Sequence, residues 1–445
     1  VLGHLGGTVL TDWYSGELID PVPLAAALNG AHDGAVVHAP CLDVVTLAHG
    51  DAPVSRREDG LLLVADAAAS GIATDQATFE IIDHGLEVIT FRDALTGRLV
   101  APDAAGHLVA CSERIGGWIV QETFRRRVDS TGRVALQHVG SGRWVRREHR
   151  SGKLILGGFD PQEATRWQWQ ITSSRRDQAV EAIAGADLVI VVGGNDPHVH
   201  GRETEDRPSL SLMGPDRELL DLLQSSGTVA RSVLLMISSY PYDIAEHAET
   251  ADAVVWSSHG GARMGPALAS LLLGHREFSG RLAQAWIPEE SLTDILDYDV
   301  IASSATYLYG QGAIFPFGHG LALAPTRWEQ PAITPRTEAI HAAVTLERDA
   351  ALSAHEVVQV YASVDADRYP AGIGPVPSMR LIGSQVAEVP ASGATQVELL
   401  IPWTRLRLWS VEEEQFVAPE GTVTIHLARS SRDILASREL LVSRE

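Results

Sequence analysis

Asp187-Leu188-Val189-Ile190-Val191-Val192-Gly193-Gly194 decides the fold. A short, uninterrupted, β-branched apolar run ending in glycines reads as a strand buried on both faces, the signature of a parallel sheet. Upstream, Asp177-Gln178-Ala179-Val180-Glu181-Ala182-Ile183 has helical spacing. Downstream, Pro215 suits the first turn of a helix that lines up Leu219, Leu220, Leu222 and Leu223 on one face. Val233-Leu234-Leu235-Met236-Ile237 and Ala253-Val254-Val255-Trp256 are further apolar strands, with Ile244-Ala245-Glu246-His247-Ala248 as a helix between them and another helix over 265–273. Strands alternating with helices predict a doubly wound parallel sheet, whose ligands bind at the carboxyl ends of its strands. A helix at 24–28 and a strand at Ala35-Val36-Val37-His38 begin the same sheet.

Between these two parts the period changes. Gly60-Leu61-Leu62-Leu63, Gly106-His107-Leu108-Val109 and Gly152-Lys153-Leu154-Ile155 recur every 46 residues. Thr78-Phe79, Thr123-Phe124 and Thr165-Arg166-Trp167 follow them in turn. Short alternating strands between glycine turns, in three units, predict a β-trefoil inserted into the sheet domain. After residue 327 alternation returns, as in Val357-Val358-Gln359-Val360-Tyr361 and Val423-Thr424-Ile425-His426-Leu427, and predicts a β-sandwich. The expected organisation is multi-domain. An α/β doubly wound sandwich (1–53 and 173–325) is interrupted by a β-trefoil (54–172) and followed by a β-sandwich (326–445).

Composition removes several functions. The 445 residues are 45% hydrophobic and 21% charged, ordinary for a globular protein. Against 57 acidic residues stand 35 basic ones, a net charge of −22, so nucleic acid is not an expected partner. No apolar run approaches the roughly 20 residues of a membrane helix, and no membrane partner is expected. Cys41 and Cys111 form neither a CxxC pair nor a disulfide framework. That usage leans toward a reducing compartment, and a cytoplasmic location is expected. The first residue is Val1, and Val1-Leu2-Gly3 reads as the end of a buried strand. The chain is therefore expected to be part of a longer polypeptide.

The richest chemistry follows the deciding strand: Gly194-Asn195-Asp196-Pro197-His198-Val199-His200-Gly201-Arg202-Glu203-Thr204-Glu205-Asp206-Arg207. Ionisable groups at a parallel strand's carboxyl end make an active-site loop. The bland alternative is a solvated loop with a local Asp206–Arg207 pair. His198-x-His200 lacks further ligands at metal-binding spacing, so neither a metal nor any other cofactor is expected. Tyr240, Tyr242, Tyr307 and Trp256 lie near strand ends and are expected mainly to pack the core. The same holds for Trp118, Trp144, Trp167 and Trp169 within the repeats.

Glu203-Thr204-Glu205-Asp206-Arg207, followed by Leu210 and Leu212, resembles the Glu-x-x-Asp-Arg segment of the second domain of glycoside hydrolase family 3. Ser258-His259-Gly260-Gly261, Gly280-Arg281-Leu282 and Phe315-Pro316-Phe317-Gly318-His319-Gly320-Leu321 stand in that family's order. Glu356-Val357-Val358-Gln359-Val360-Tyr361 and Pro377-Ser378-Met379-Arg380-Leu381-Ile382-Gly383 resemble its fibronectin III-like tail, and the three-unit repeat resembles a fascin-like trefoil. The resemblance implies retaining hydrolysis of β-glucosides or β-xylosides, with two carboxyls about 5–5.5 Å apart. Carried onto this chain, the acid/base is Glu203, with Glu205 as runner-up. Arg202, Arg207 and His259 are implied substrate contacts. The family's nucleophile sits on a preceding (β/α)8 barrel, which these residues do not contain. Leu10-Thr11-Asp12-Trp13 mimics its Ser/Thr-Asp-Trp motif, but the following Pro21 and helix place Asp12 at the start of the second domain, as a loop or outer substrate contact. The implied partners are an oligosaccharide or aryl β-glycoside and a barrel domain or chain, and a homo-oligomer is left open. The competing function is a non-catalytic carbohydrate-binding or scaffolding protein.

Overall fold

The computed structural model describes residues 1–11, 16–64, 75–203, 205–228, 230–292, 298–304, 306–310, 312–370 and 372–442. The chain divides into two units, one of Val1–Tyr240 with Glu246–Ala269 and the other of Pro241–Ala245 with Ser270–Glu445.

In the first unit, Leu188–Gly194 pairs in parallel with Arg231–Ile237, which pairs in parallel with Ala253–Ser257. Leu2 bridges Val191 on the opposite side and also bridges Ala39, both in parallel sense, so the N-terminal residues extend the same sheet. The strand expected at 35–38 is reduced to that single bridge at Ala39. Helix Arg175–Ile183 is capped by Ser174, whose hydroxyl accepts the Asp177 N–H. Helix Gly214–Ser225 carries Pro215 in its first turn and buries the four leucines read from the sequence.

The antiparallel pairing between these parts starts at Asp43 rather than 54. Strand Asp43–His49 pairs with Gln168–Ser173 and with Thr78–Asp83. The series continues through Val88–Asp93, Phe124–Val128 and Val134–His138. A Val134–Trp167 bridge then closes it into a six-stranded barrel. Phe79, Phe91 and Phe124 meet edge to face inside it, with centroids 5.4 and 5.7 Å apart, and Trp167 is fully buried.

The three repeat glycines occupy equivalent turns. Gly60, Gly106 and Gly152 have φ of +86°, +83° and +71°. Their carbonyls accept N–H bonds from Ala110, Leu156 and Val64, each from a neighbouring unit, at 2.8–2.9 Å. The bonds run in a ring. Positive φ alone costs a side chain about 1–2 kcal/mol. At Gly106 nothing crowds an added Cβ closer than 3.8 Å, whereas at Gly152 it meets the Val64 carbonyl oxygen at 2.3 Å. Urea denaturation should therefore show Gly106→Ala losing about 1–2 kcal/mol, and Gly152→Ala clearly more. Equal losses would mean that the ring of carbonyl contacts carries no weight.

Besides a small pair of strands, Leu408–Ser410 with Gln415–Val417, the second unit has two larger sheets. Arg327–Pro335, Ala339–Asp349 and Ser392–Pro402 form one. Arg380–Val389, Ala354–Ser363, Gly421–Ala428 and Ile434–Val442 form the other, in that order. Period-two patterning is clearest in Ala339–Asp349, where Ile340, Ala342, Val344 and Leu346 are buried and join Val358, Val360, Ile425 and Leu427 in one core.

Candidate active site

The 194–207 loop leaves the sheet under tight control. Gly194 has φ +146°, and a Cβ there would lie 1.8 Å from the Ile237 carbonyl oxygen, so only glycine fits. Asn195 next accepts the Ser239 N–H at 3.0 Å and ties the loop to the adjacent strand's end. Asp196 Oδ1 accepts both the backbone N–H of His198 (2.9 Å) and a contact from its ring Nδ1 (3.0 Å). Burial pushes the Asp196 carboxyl up, but the His198 bonds together with the charges of His84 and His198 outweigh it, and the group titrates below the usual range.

Asn195, His198, Val199 and His200 are all buried, which the bland solvated-loop reading did not anticipate. The barrel covers them. Val199 packs in an apolar cluster with Leu42, Ile82, Val88, Leu99, Ile115 and Val120. His200 Nε2 lies 3.3 Å from the Gly85 carbonyl, and its own carbonyl accepts the Tyr240 hydroxyl at 2.8 Å. Burial lowers the His200 pKa, keeping the ring neutral. Inserted barrel and loop are thus one packed body.

At Arg202 the chain turns. The Glu205 N–H donates to the Arg202 carbonyl at 3.0 Å, and Arg202 Nη2 meets Glu205 Oε2 at 2.8 Å. This pair closes the turn and leaves Glu203 exposed on it. The Arg207 guanidinium lies 3.9 Å over the Tyr240 ring, a cation–π contact where the sequence suggested an Asp206 pair. Tyr240 thereby touches the loop twice. His259 is half-buried after strand Ala253–Ser257, at the same carboxyl edge of the sheet. Asp12 lies outside the described residues. Its neighbour Thr11 accepts a hydrogen bond from Arg114 at 3.0 Å. Among the remaining aromatics, Tyr242, Trp144 and Trp167 are buried as expected, but Trp118 is 56% exposed because its loop leaves the barrel.

Two anchors were invisible in the sequence. Arg175 meets Asp43 and Asp83, each at 3.0 Å, and Glu218 at 3.7 Å, joining the barrel's entry strand to two helices. Asp216 accepts the Gly194 N–H at 2.9 Å and so holds the root of the loop. Burial raises the Asp216 carboxyl to about 7; Asp83 adds to the rise, while the Gly194 N–H and Arg175 oppose it. A folded pKa above the unfolded value means the native state binds the proton more tightly. Stability from this group is full below the ordinary carboxylate range and is lost as pH rises through about 7. Asp216→Asn keeps an acceptor for Gly194 and removes the titration. Melting curves should show the variant gaining on the native protein between pH 5 and 8. A parallel pH dependence of the two proteins rules out the buried acid.

With this geometry in place, comparison with known proteins is direct. The glycosyl hydrolase family 3 C-terminal domain matches residues 1–323, and a fibronectin type III-like domain matches 356–431. The chain belongs to glycosyl hydrolase family 3. It is 24% identical over 270 residues to the xylan 1,4-beta-xylosidase of Xylanibacter ruminicola, covering 58% of this chain and 30% of that protein. The exo-alpha-(1->6)-L-arabinopyranosidase of Bifidobacterium longum is 27% identical over 277 residues, covering 58% and 35%. Among solved structures, DesR, a beta-glucosidase from Streptomyces venezuelae in complex with D-glucose, aligns with TM-score 0.67 at 16% identity, over 99% of this chain and 55% of that one. That likeness is one of fold. The chain spans about a third of the length of these curated relatives.

Proposed function

We propose that the chain is the C-terminal part of a retaining β-glycosidase acting on β-xylosides or β-glucosides. In this reading Glu203 is the general acid/base, and a (β/α)8 barrel on a further domain or chain supplies the nucleophile. The sheet domain is a doubly wound sandwich, and the inserted barrel is a fascin-like β-trefoil that buttresses the acid/base loop. One observation carries the assignment of the acid/base: Glu203 opens the Glu-Thr-Glu-Asp-Arg segment and is exposed on the loop that leaves the carboxyl end of strand Leu188–Gly194. Arg202 and Arg207 then position the loop, through Glu205 and Tyr240 respectively. His259 serves as a substrate contact at that carboxyl edge, and Asp12 as a further substrate contact.

Activity of the separate parts tests this reading. The 445-residue chain should leave nitrophenyl β-xyloside and nitrophenyl β-glucoside intact, while the same chain joined to its barrel hydrolyses one of them with retention of configuration. Turnover by these 445 residues alone means that the nucleophile lies within them, and hydrolysis with inversion excludes the two-step mechanism.

A further inference from the structure

A cavity of about 550 Å³ opens where three parts of the first unit meet. The N-terminal segment contributes Thr11 and Glu17, the barrel Arg92 and Arg114, and the loop Asp196 and His198. Its volume lies within the roughly 300–1,000 Å³ of small-molecule sites. The polar walls are built rather than incidental. Arg92 is held by Glu80 at 2.6 Å, Arg114 donates to Thr11 at 3.0 Å, and Asp196 is fixed by His198 at 3.0 Å. Between the polar groups lie Leu18, Ile82, Leu99 and Ile115.

Charge selects the ligand class. An anion entering the cavity would face the Glu17, Glu113 and Asp196 carboxylates, and a cation would face Arg92 and Arg114. His4 adds no charge at neutral pH, since burial lowers it to about 3. A neutral ligand with many hydroxyls meets neither obstacle. Each hydroxyl donates to a carboxylate or accepts from a guanidinium, and apolar C–H faces can lie on the aliphatic walls.

We propose that this cavity binds a neutral saccharide unit, and that the inserted barrel contributes to recognising it through Arg92, Arg114 and Glu113. The choice of sugars among neutral polyols rests on the glycosidase reading. Because Asp196 and His198 belong to the loop that carries Glu203, a sugar seated here also braces the root of that loop.

Xylobiose and cellobiose are the probes, titrated into the 445-residue chain by calorimetry and saturation-transfer NMR. One of them should bind with a millimolar dissociation constant. Arg114→Ala and Glu113→Gln alter exposed side chains and should each weaken it about tenfold, the loss of one charge-assisted hydrogen bond. Leu18→Trp puts a bulky indole into the cavity and should weaken saturation transfer while leaving the melting temperature unchanged. The proposal is overturned by absence of binding to the native chain, by affinity that all three variants retain, or by inorganic phosphate binding more tightly than either sugar. Binding needs no catalysis, so failure of the Glu203 assignment leaves this result standing. Failure here leaves the assignment untouched.

Discussion

Glu203→Ala in the barrel-containing enzyme should lose roughly 10²–10⁴-fold in rate on substrates whose leaving group needs a proton. The loss should shrink as the leaving group becomes more acidic. With a dinitrophenyl glycoside the first step needs little protonation, so the glycosyl-enzyme should form at near-native speed and accumulate. Its breakdown is then slow, because no base assists the incoming water. Azide, an anion that requires no deprotonation, should accelerate this second step and yield a β-glycosyl azide. Glu205→Ala provides the internal comparison. Glu205 is paired with Arg202 at 2.8 Å and is half-buried, so its loss should loosen the turn and lower activity across all leaving groups, without azide rescue. If azide rescues Glu205→Ala while Glu203→Ala keeps its native leaving-group dependence, the acid/base is Glu205. If neither variant responds, the loop is structural and a carbohydrate-binding role without catalysis becomes the better reading.

Sequence reasoning succeeded where the physics is local and failed where it is long-range. Val189 to Val192 read as a buried strand, because a β-branched run with glycines behind it fits a strand covered on both faces, and all four are buried. The 46-residue glycines were legible because positive φ demands glycine in every copy of the turn. The barrel's start was not legible. Strand Asp43–His49 precedes the first repeat glycine, and its partner Gln168–Ser173 lies far along the chain. The burial of the polar loop was hidden for the same reason: His200 meets Gly85 across the insertion. Asp216 looked like an ordinary acid in a helix's first turn, a favourable surface position. Only its packing against Gly193 and Gly194 reveals a half-buried carboxyl holding the root of the loop. The Gly280-Arg281-Leu282 motif has a structural role in this fold. Arg281 pairs with Glu356, and the Leu282 N–H donates to the His319 carbonyl at 2.8 Å.

The largest stability effect should come from the second unit, at Glu277 and Arg348. Their ion pair is almost wholly removed from solvent, with side-chain exposures of 3% and 0%. Arg348 also donates from Nε to the Leu352 carbonyl at 3.0 Å and from Nη1 to the Ala324 carbonyl at 2.6 Å. Glu277 accepts the Phe278 and Leu323 N–H groups at 3.0 and 2.5 Å. The pair therefore ties the segment after helix Met264–Leu272 to the end of strand Ala339–Asp349. Arg348→Ala leaves a carboxylate in the interior without its cation and strands two carbonyls, so urea denaturation should show a loss of about 3–5 kcal/mol. Glu277→Gln is the gentler cut. It keeps an acceptor for both N–H groups and loses the negative charge, leaving a buried guanidinium bonded to two carbonyls and the Thr326 hydroxyl. Replacing both residues by leucine removes both charges and refills part of the space, and should be less damaging than Arg348→Ala alone. That ordering separates a true buried pair from two independent hydrogen-bond clusters. If the double variant instead equals the sum of its single-leucine variants, the two side chains are uncoupled and the pair contributes nothing of its own.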